Sequence, residues 1–151
     1  MKEKPTTELL DILNQTTKEN MEEYISQYGS TKMNPGIFSE YMAEHNISAA
    51  AIAQRCSGLI SKSYVYELLS GTKRHPSRNI ILILCIAANM DRKMTRRVLE
   101  NYHHRDLYAK DTRDIIIATY INTKTFDINQ INDELDKYQL PLLLSGSDQT
   151  K

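Results

Sequence analysis

Between Ser61 and His75 the chain gathers side chains suited to holding a polyanion. Lys62, Ser63, Tyr66 and Glu67 fall largely on one side of a helical run whose other side carries Val65, Leu68 and Leu69, and Thr72-Lys73-Arg74-His75 follows directly. Cationic groups neutralise phosphates regardless of sequence, whereas donors and acceptors on an exposed helix face can read base edges in a groove. Other chemistries lack their parts. His45, His75, His103 and His104 show no HExxH or Cys/His spacing, and adjacent His103 and His104 are expected on different sides of a helix, so no metal site is expected. No GxSxG, phosphate loop, dinucleotide fingerprint or paired-carboxylate frame occurs, so no catalytic residue, no cofactor and no enzyme activity is expected.

The elements that must position the basic helix are legible around it. Ser48 can cap a helix that Ala49, Ala50, Ala51, Ile52 and Ala53 propagate at little entropic cost, and its small side chains let a second helix cross close by. Ser57-Gly58 supplies the break. Ser61 then caps the second helix, and Ser70-Gly71 ends it. Pro76-Ser77 opens a helix from Arg78 to Ala88 that is apolar nearly all round, through Ile80, Ile81, Leu82, Ile83, Leu84 and Ile86, and so belongs at the centre of a core.

The runs IAQRC, ISKSYVYELLSGTKR and PSRNIILILCIAANM resemble the lambda-repressor/Cro (XRE-type) class of helix-turn-helix DNA-binding domains over roughly residues 38–90. SKSYVYELLSGTKRHPSR is also similar to a subgroup of bacterial helix-turn-helix proteins with a longer helical C-terminus and a later LYxxDxRDxII element. Here that element is Leu107-Tyr108-Ala109-Lys110-Asp111-Thr112-Arg113-Asp114-Ile115-Ile116, extending the similarity to about Leu144. The resemblance implies a DNA-binding set of Ser61, Lys62, Ser63, Tyr66, Glu67, Thr72, Lys73 and Arg74. In the family's register Lys62, Ser63 and Glu67 approach base edges, while Lys62, Tyr66, Thr72, Lys73 and Arg74 serve as backbone clamps. Glu67 is repelled by phosphates unless it meets a cytosine or a nearby cation. One departure stands out. Ser57-Gly58-Leu59 makes the turn one or two residues longer than the tightest family turns, which implies a longer first helix or a looser turn that tilts the second.

The resemblance implies a sequence-specific transcriptional regulator that docks the Ser61–Leu69 helix into the major groove of double-stranded DNA, as a homodimer reading a two-fold operator. The alternative is a protein-interaction adaptor that kept the scaffold and lost DNA binding. Net charge is zero over 151 residues, which favours the adaptor, but its distribution favours DNA. Residues 1–46 carry −4, residues 47–110 carry +7 and residues 111–151 carry −3. A second basic cluster, Arg92, Lys93, Arg96 and Arg97, has i,i+4 pairs that suit either a solvated face or a phosphate partner.

The rest of the chain reads as helix, giving an all-α protein: a repressor-like bundle at 35–90, an N-terminal helical extension at 1–34, a C-terminal helical extension at 91–144 packed on it, and a disordered tail at 145–151. Thr6 or Thr7 can cap a first helix with Leu9, Leu10, Ile12 and Leu13 on its apolar side. Thr16 or Thr17 can start a second through Met21, Tyr24, Ile25 and Tyr28, and the eight residues from Gly29 to Gly36 are a linker. Helix three, about Ile37 to His45, presents Phe38, Tyr41 and Met42. A helix from Arg92 to Tyr102 follows the Asn89-Met90-Asp91 turn, and Asp111 caps a later one. A weak repeat lays the stretch from Ser77 over that from Thr112, with one extra residue in the second copy. Arg78 then meets Arg113, Leu99 meets Leu135 and Tyr102 meets Tyr138; each copy reads as a helical hairpin that buries a face against the other. Tyr102, Tyr108, Tyr120 and Tyr138 are expected at helix interfaces with hydroxyls at the rim. Cys56 and Cys85 read as free buried thiols, and the absence of a membrane-length apolar run or signal sequence points to a cytoplasmic protein.

Overall fold

Six helices begin with the same device, a Ser or Asp side chain accepting from the backbone N–H three residues on. The computed structural model describes residues 6–23 and 33–144, and every regular element among them is a helix. The chain divides into two compact units, Met1–Met33 and Asn34–Lys151. In the first, α1 (Thr6–Asn14) leaves Leu10 and Leu13 exposed; residues 21–23 are helical, and the remainder of the expected second helix lies outside the described residues, as does the tail at 145–151. The second unit holds α2 (Ile37–His45), α3 (Ala49–Arg55), α4 (Lys62–Leu69), α5 (Arg78–Ala87), α6 (Arg92–Asn101), α7 (Thr112–Asn122) and α8 (Ile128–Lys137). Ser48, Ser61, Ser77, Asp91, Asp111 and Asp127 cap α3 to α8 in turn, at 2.8–3.3 Å. Among the described residues no helix is long and apolar enough to cross a membrane.

Helix ends are equally uniform. A left-handed residue follows α2, α4, α5, α6, α7 and α8: Asn46, Gly71, Asn89, His103, Lys124 and Gln139, with φ between 55° and 85°. In each case the next N–H reaches back to a carbonyl of the last turn, for example Met90 N to Cys85 O at 3.0 Å and Thr125 N to Tyr120 O at 2.9 Å. His103 and His104 therefore lie beyond the end of α6 and not on a helix. Of these positions Gly71 is constrained twice, because a Cβ there would also collide with the Pro35 carbonyl. Asn34 and Asn101 exchange two further bonds, at 2.8 and 3.0 Å, that tie the segment before α2 to the last turn of α6.

At the centre lies α5, whose residues Ile80 through Ala87 are all buried. α3 packs on it, and the Arg55 guanidinium donates to the Ala87 carbonyl at 2.6 Å. Phe38 of α2 is fully buried, its ring 6.1 Å from that of Tyr102. Cys56 and Cys85 are both buried, and burial pushes the Cys56 thiol up to about 12 and Cys85 up as well.

The hairpins α5–α6 and α7–α8 repeat one another down to single hydrogen bonds. Arg78 Nε and Nη2 donate to the carbonyls of Arg105 and Asp106; Arg113 Nε and Nη2 donate to those of Pro141 and Leu142. The extra residue of the second copy lies between its left-handed Lys124 and its cap Asp127, where the first copy has Asn89 and Asp91. The hairpins also exchange contacts reciprocally. Arg78 forms a two-pronged bond with Asp114 at 3.0 and 3.1 Å, while Arg113 reaches Asn79 at 2.9 Å; α5 packs on α8 as α6 packs on α7. A residue i that meets j while j's counterpart meets i's counterpart is the signature of a two-fold relation. The copies thus face each other and do not stack in file.

The expectation for the tyrosines needs correction. Tyr120 is half-buried and donates to Glu134 at 3.2 Å, but Tyr108 and Tyr138 are exposed. Tyr102 is buried together with its hydroxyl, which therefore does not reach the rim.

Candidate nucleic-acid interface

α4 meets α3 through its apolar side, with Val65, Leu68 and Leu69 buried, and this leaves Lys62 and Ser63 exposed and Tyr66 and Glu67 half-buried. The connection from α3 spans six residues. Cys56 and Ile60 are buried at its two ends, and Gly58 takes φ 84° where a side chain would meet nothing within 4 Å. The extra length noted in the sequence therefore becomes a looser turn, since α3 ends at Arg55. Ser61 Oγ accepts from Tyr64 N at 3.3 Å, which leaves its hydroxyl proton available to an outside acceptor.

The side chains of the sequence-derived set form two small groups. Lys62 lies over the Tyr66 ring, 5.8 Å from its centroid, so ammonium and phenol share one patch near the start of α4. At the other end Lys73 Nζ is 3.6 Å from Glu67 Oε2, and both side chains are nearly half exposed. That pair gives Glu67 the nearby cation it would need beside a phosphate backbone, and takes up part of the charge Lys73 could offer one. Thr72 shares a 2.9 Å hydroxyl contact with Ser70, whose own hydroxyl also reaches Glu67 O, so the exit of α4 is held by short local bonds. Arg74 is exposed, with no ion pair among the described residues.

The +7 of residues 47–110 already subtracts Glu67, Glu100 and Asp106, and the fold adds one carboxylate from outside the segment, Asp114. Of the eleven Lys and Arg between 47 and 110, five are in ion pairs: Lys73 with Glu67, Arg78 and Arg105 with Asp114, Arg92 with Asp106, and Arg96 with Glu100. Asp114 belongs to the acidic C-terminal segment, which no charge sum could bring beside Arg78. Lys62, Arg74, Lys93, Arg97 and Lys110 have no acidic partner among the described residues. Two of them flank α4 and two sit together on α6.

Of the histidines, His45 is stacked on Tyr41 at 3.9 Å and bonded to its carbonyl, and His104 contacts the Pro76 carbonyl at 2.8 Å. No group of three or more potential metal ligands occurs among the described residues. Compared with protein-family models, with curated proteins and with solved structures, the chain matches none.

Proposed function

We propose that this protein is a sequence-specific double-stranded DNA-binding regulator of transcription, acting through a helix-turn-helix of the lambda-repressor type formed by α3 and α4. The observation that carries the reading is the two-sided α4: a buried apolar side and a reachable side bearing Lys62, Ser63, Tyr66 and Glu67, followed by exposed Lys73 and Arg74. In this reading Lys62, Ser63 and Glu67 approach base edges, and Lys62, Tyr66, Thr72, Lys73 and Arg74 hold phosphates. A homodimer docking two copies of α4 one helical turn apart supplies the affinity a single small module lacks.

Selection from a randomised duplex pool at two salt concentrations tests it. A recovered palindrome, bound more weakly at the higher salt, is the expected result. Lys73→Ala with Arg74→Ala weakens binding to all duplexes and flattens the salt slope by about one or two phosphates, whereas Lys62→Ala also relaxes preference at one base pair by about 1–3 kcal/mol. No enrichment and no retention at low salt would sink this reading. One observation favours the second reading, a protein-interaction adaptor on the same scaffold: almost half of the basic segment's cations are spent on intrachain ion pairs. An adaptor would show no salt slope on duplex DNA.

A further inference from the structure

The cluster Arg92, Lys93, Arg96 and Arg97 is split by the fold. Arg92 is 3.1 Å from Asp106 and Arg96 3.4 Å from Glu100, which neutralises both. Lys93 and Arg97, one turn apart, have no ion pair among the described residues, and both line a cleft of about 660 Å³. One wall of the cleft is α2, where the rings of Tyr41 and His45 stack at 3.9 Å; another is the turn between α7 and α8. That turn adds a third unpaired cation, Lys124, and a half-buried ring, Phe126, within the segment that carries the extra residue of the second hairpin. Two carboxylates also line it. Asp91 is engaged in capping α6, and Glu44 lies at the α2 wall without an ion pair to any of the three cations.

Two elements thus bring three cations to a cleft that two carboxylates also line, an excess of positive charge that an anion would join. Concavity, volume and aromatic lining match a small-molecule site better than a flat DNA contact. We propose that this cleft binds a nucleotide-class ligand, its phosphates held by Lys93, Arg97 and Lys124 and its flat ring against Phe126. The site lies across α2 from α4. Tyr41, Glu44 and His45 line the cleft, whereas Ser39 and Met42 line the hollow shared with Tyr66 and Glu67. A ligand there bears on the helix that supports α4.

Calorimetric titration of the full-length chain with ADP, pyrophosphate and adenosine tests the site without reference to DNA. ADP is expected to bind, pyrophosphate more weakly, and the joint variant Lys93→Ala/Arg97→Ala is expected to weaken ADP at least about tenfold. Phe126→Ala is expected to weaken ADP while leaving pyrophosphate unchanged. Lys93 and Arg97 are exposed, so a thermal midpoint no lower than the parent's will show that the variant is folded. Absence of ADP binding to the unmodified protein overturns the proposal, as does binding that the double variant leaves intact. Loss of duplex binding in that variant, with no ADP binding in the unmodified chain, would assign these cations to DNA phosphates instead.

Discussion

The hairpins α5–α6 and α7–α8 share left-handed exits, an aspartate cap on the second helix and an arginine with equivalent carbonyl partners, yet they live in different surroundings. Ile80 is fully buried and its counterpart Ile115 is 43% exposed; Tyr102 is 5% exposed and Tyr138 is 58%. α3 and Phe38 cover the first hairpin, whereas Ile115 and Tyr138 stay exposed on the matching side of the second. Local backbone chemistry can thus be repeated intact while burial is decided by what else the chain lays on top. Each position pair becomes an internal control, one sequence context under two degrees of cover.

The largest asymmetry lies in the reciprocal contact. Asp114 is 1% exposed and receives Arg78, Arg105 and the Tyr108 N–H, whereas its counterpart Asn79 receives one bond from Arg113. Asp114→Ala leaves two guanidinium groups short of their anion and should cost about 3–5 kcal/mol, against about 1 kcal/mol for Asn79→Ala, measured by urea unfolding. Equal losses would break the comparison. Acid sharpens it. Burial by itself raises the Asp114 pKa, but the hydrogen bonds from Arg78 and Tyr108 N–H and the charges of Arg78 and Arg105 outweigh it and hold the carboxyl below its ordinary 3.8. A depressed folded-state pKa contributes stability that is complete above the unfolded value and is lost as pH falls through the folded one. Asp114→Asn should therefore be less stable at neutral pH and show a shallower loss below pH 3.8 than the parent chain.

Cover itself can be weighed next. Ile80→Ala removes a fully buried side chain from the central helix α5 and should cost about 2–5 kcal/mol, whereas Ile115→Ala at an exposed position should cost less than about 1 kcal/mol. A loss at Ile115 that approaches the loss at Ile80, and that depends on protein concentration, would mean that a second copy covers the outer face of α7–α8 in solution.

The repeat was legible because its signals are local. Asp111 as a cap, the Asn89-Met90-Asp91 turn and the alignment of Arg78 with Arg113 all follow from residues within a few positions of one another. The all-helical class and α2 to α4 were legible for the same reason, since Ser48, Ser61 and Gly71 act on their own turns. Tyr138 was misjudged because its alignment with Tyr102 says nothing about whether a Phe38 stands opposite. Charge was incomplete likewise: Arg78 lies 36 residues from Asp114 in sequence and 3.0 Å from it in space, so the basic segment's sum could not include that carboxylate. The Lys62 and Tyr66 patch was readable from helical spacing, but the Glu67–Lys73 pair depends on how the chain leaves α4.

The smallest test concerns the two left-handed turn residues. Asn89 and Lys124 hold φ 58° in equivalent positions, but asparagine tolerates that region and a longer side chain does so at a cost. Asn89→Gly should change stability by a few tenths of a kcal/mol, while Lys124→Gly should raise it by about 1 kcal/mol, read from the urea midpoint. If Lys124 holds a phosphate in the cleft, the same glycine variant that gains stability must lose ADP affinity, and Asn89→Gly must not. A Lys124→Gly protein that is stabilised and still binds ADP as well as the parent would show that the extra turn residue and its cation serve the hairpin alone.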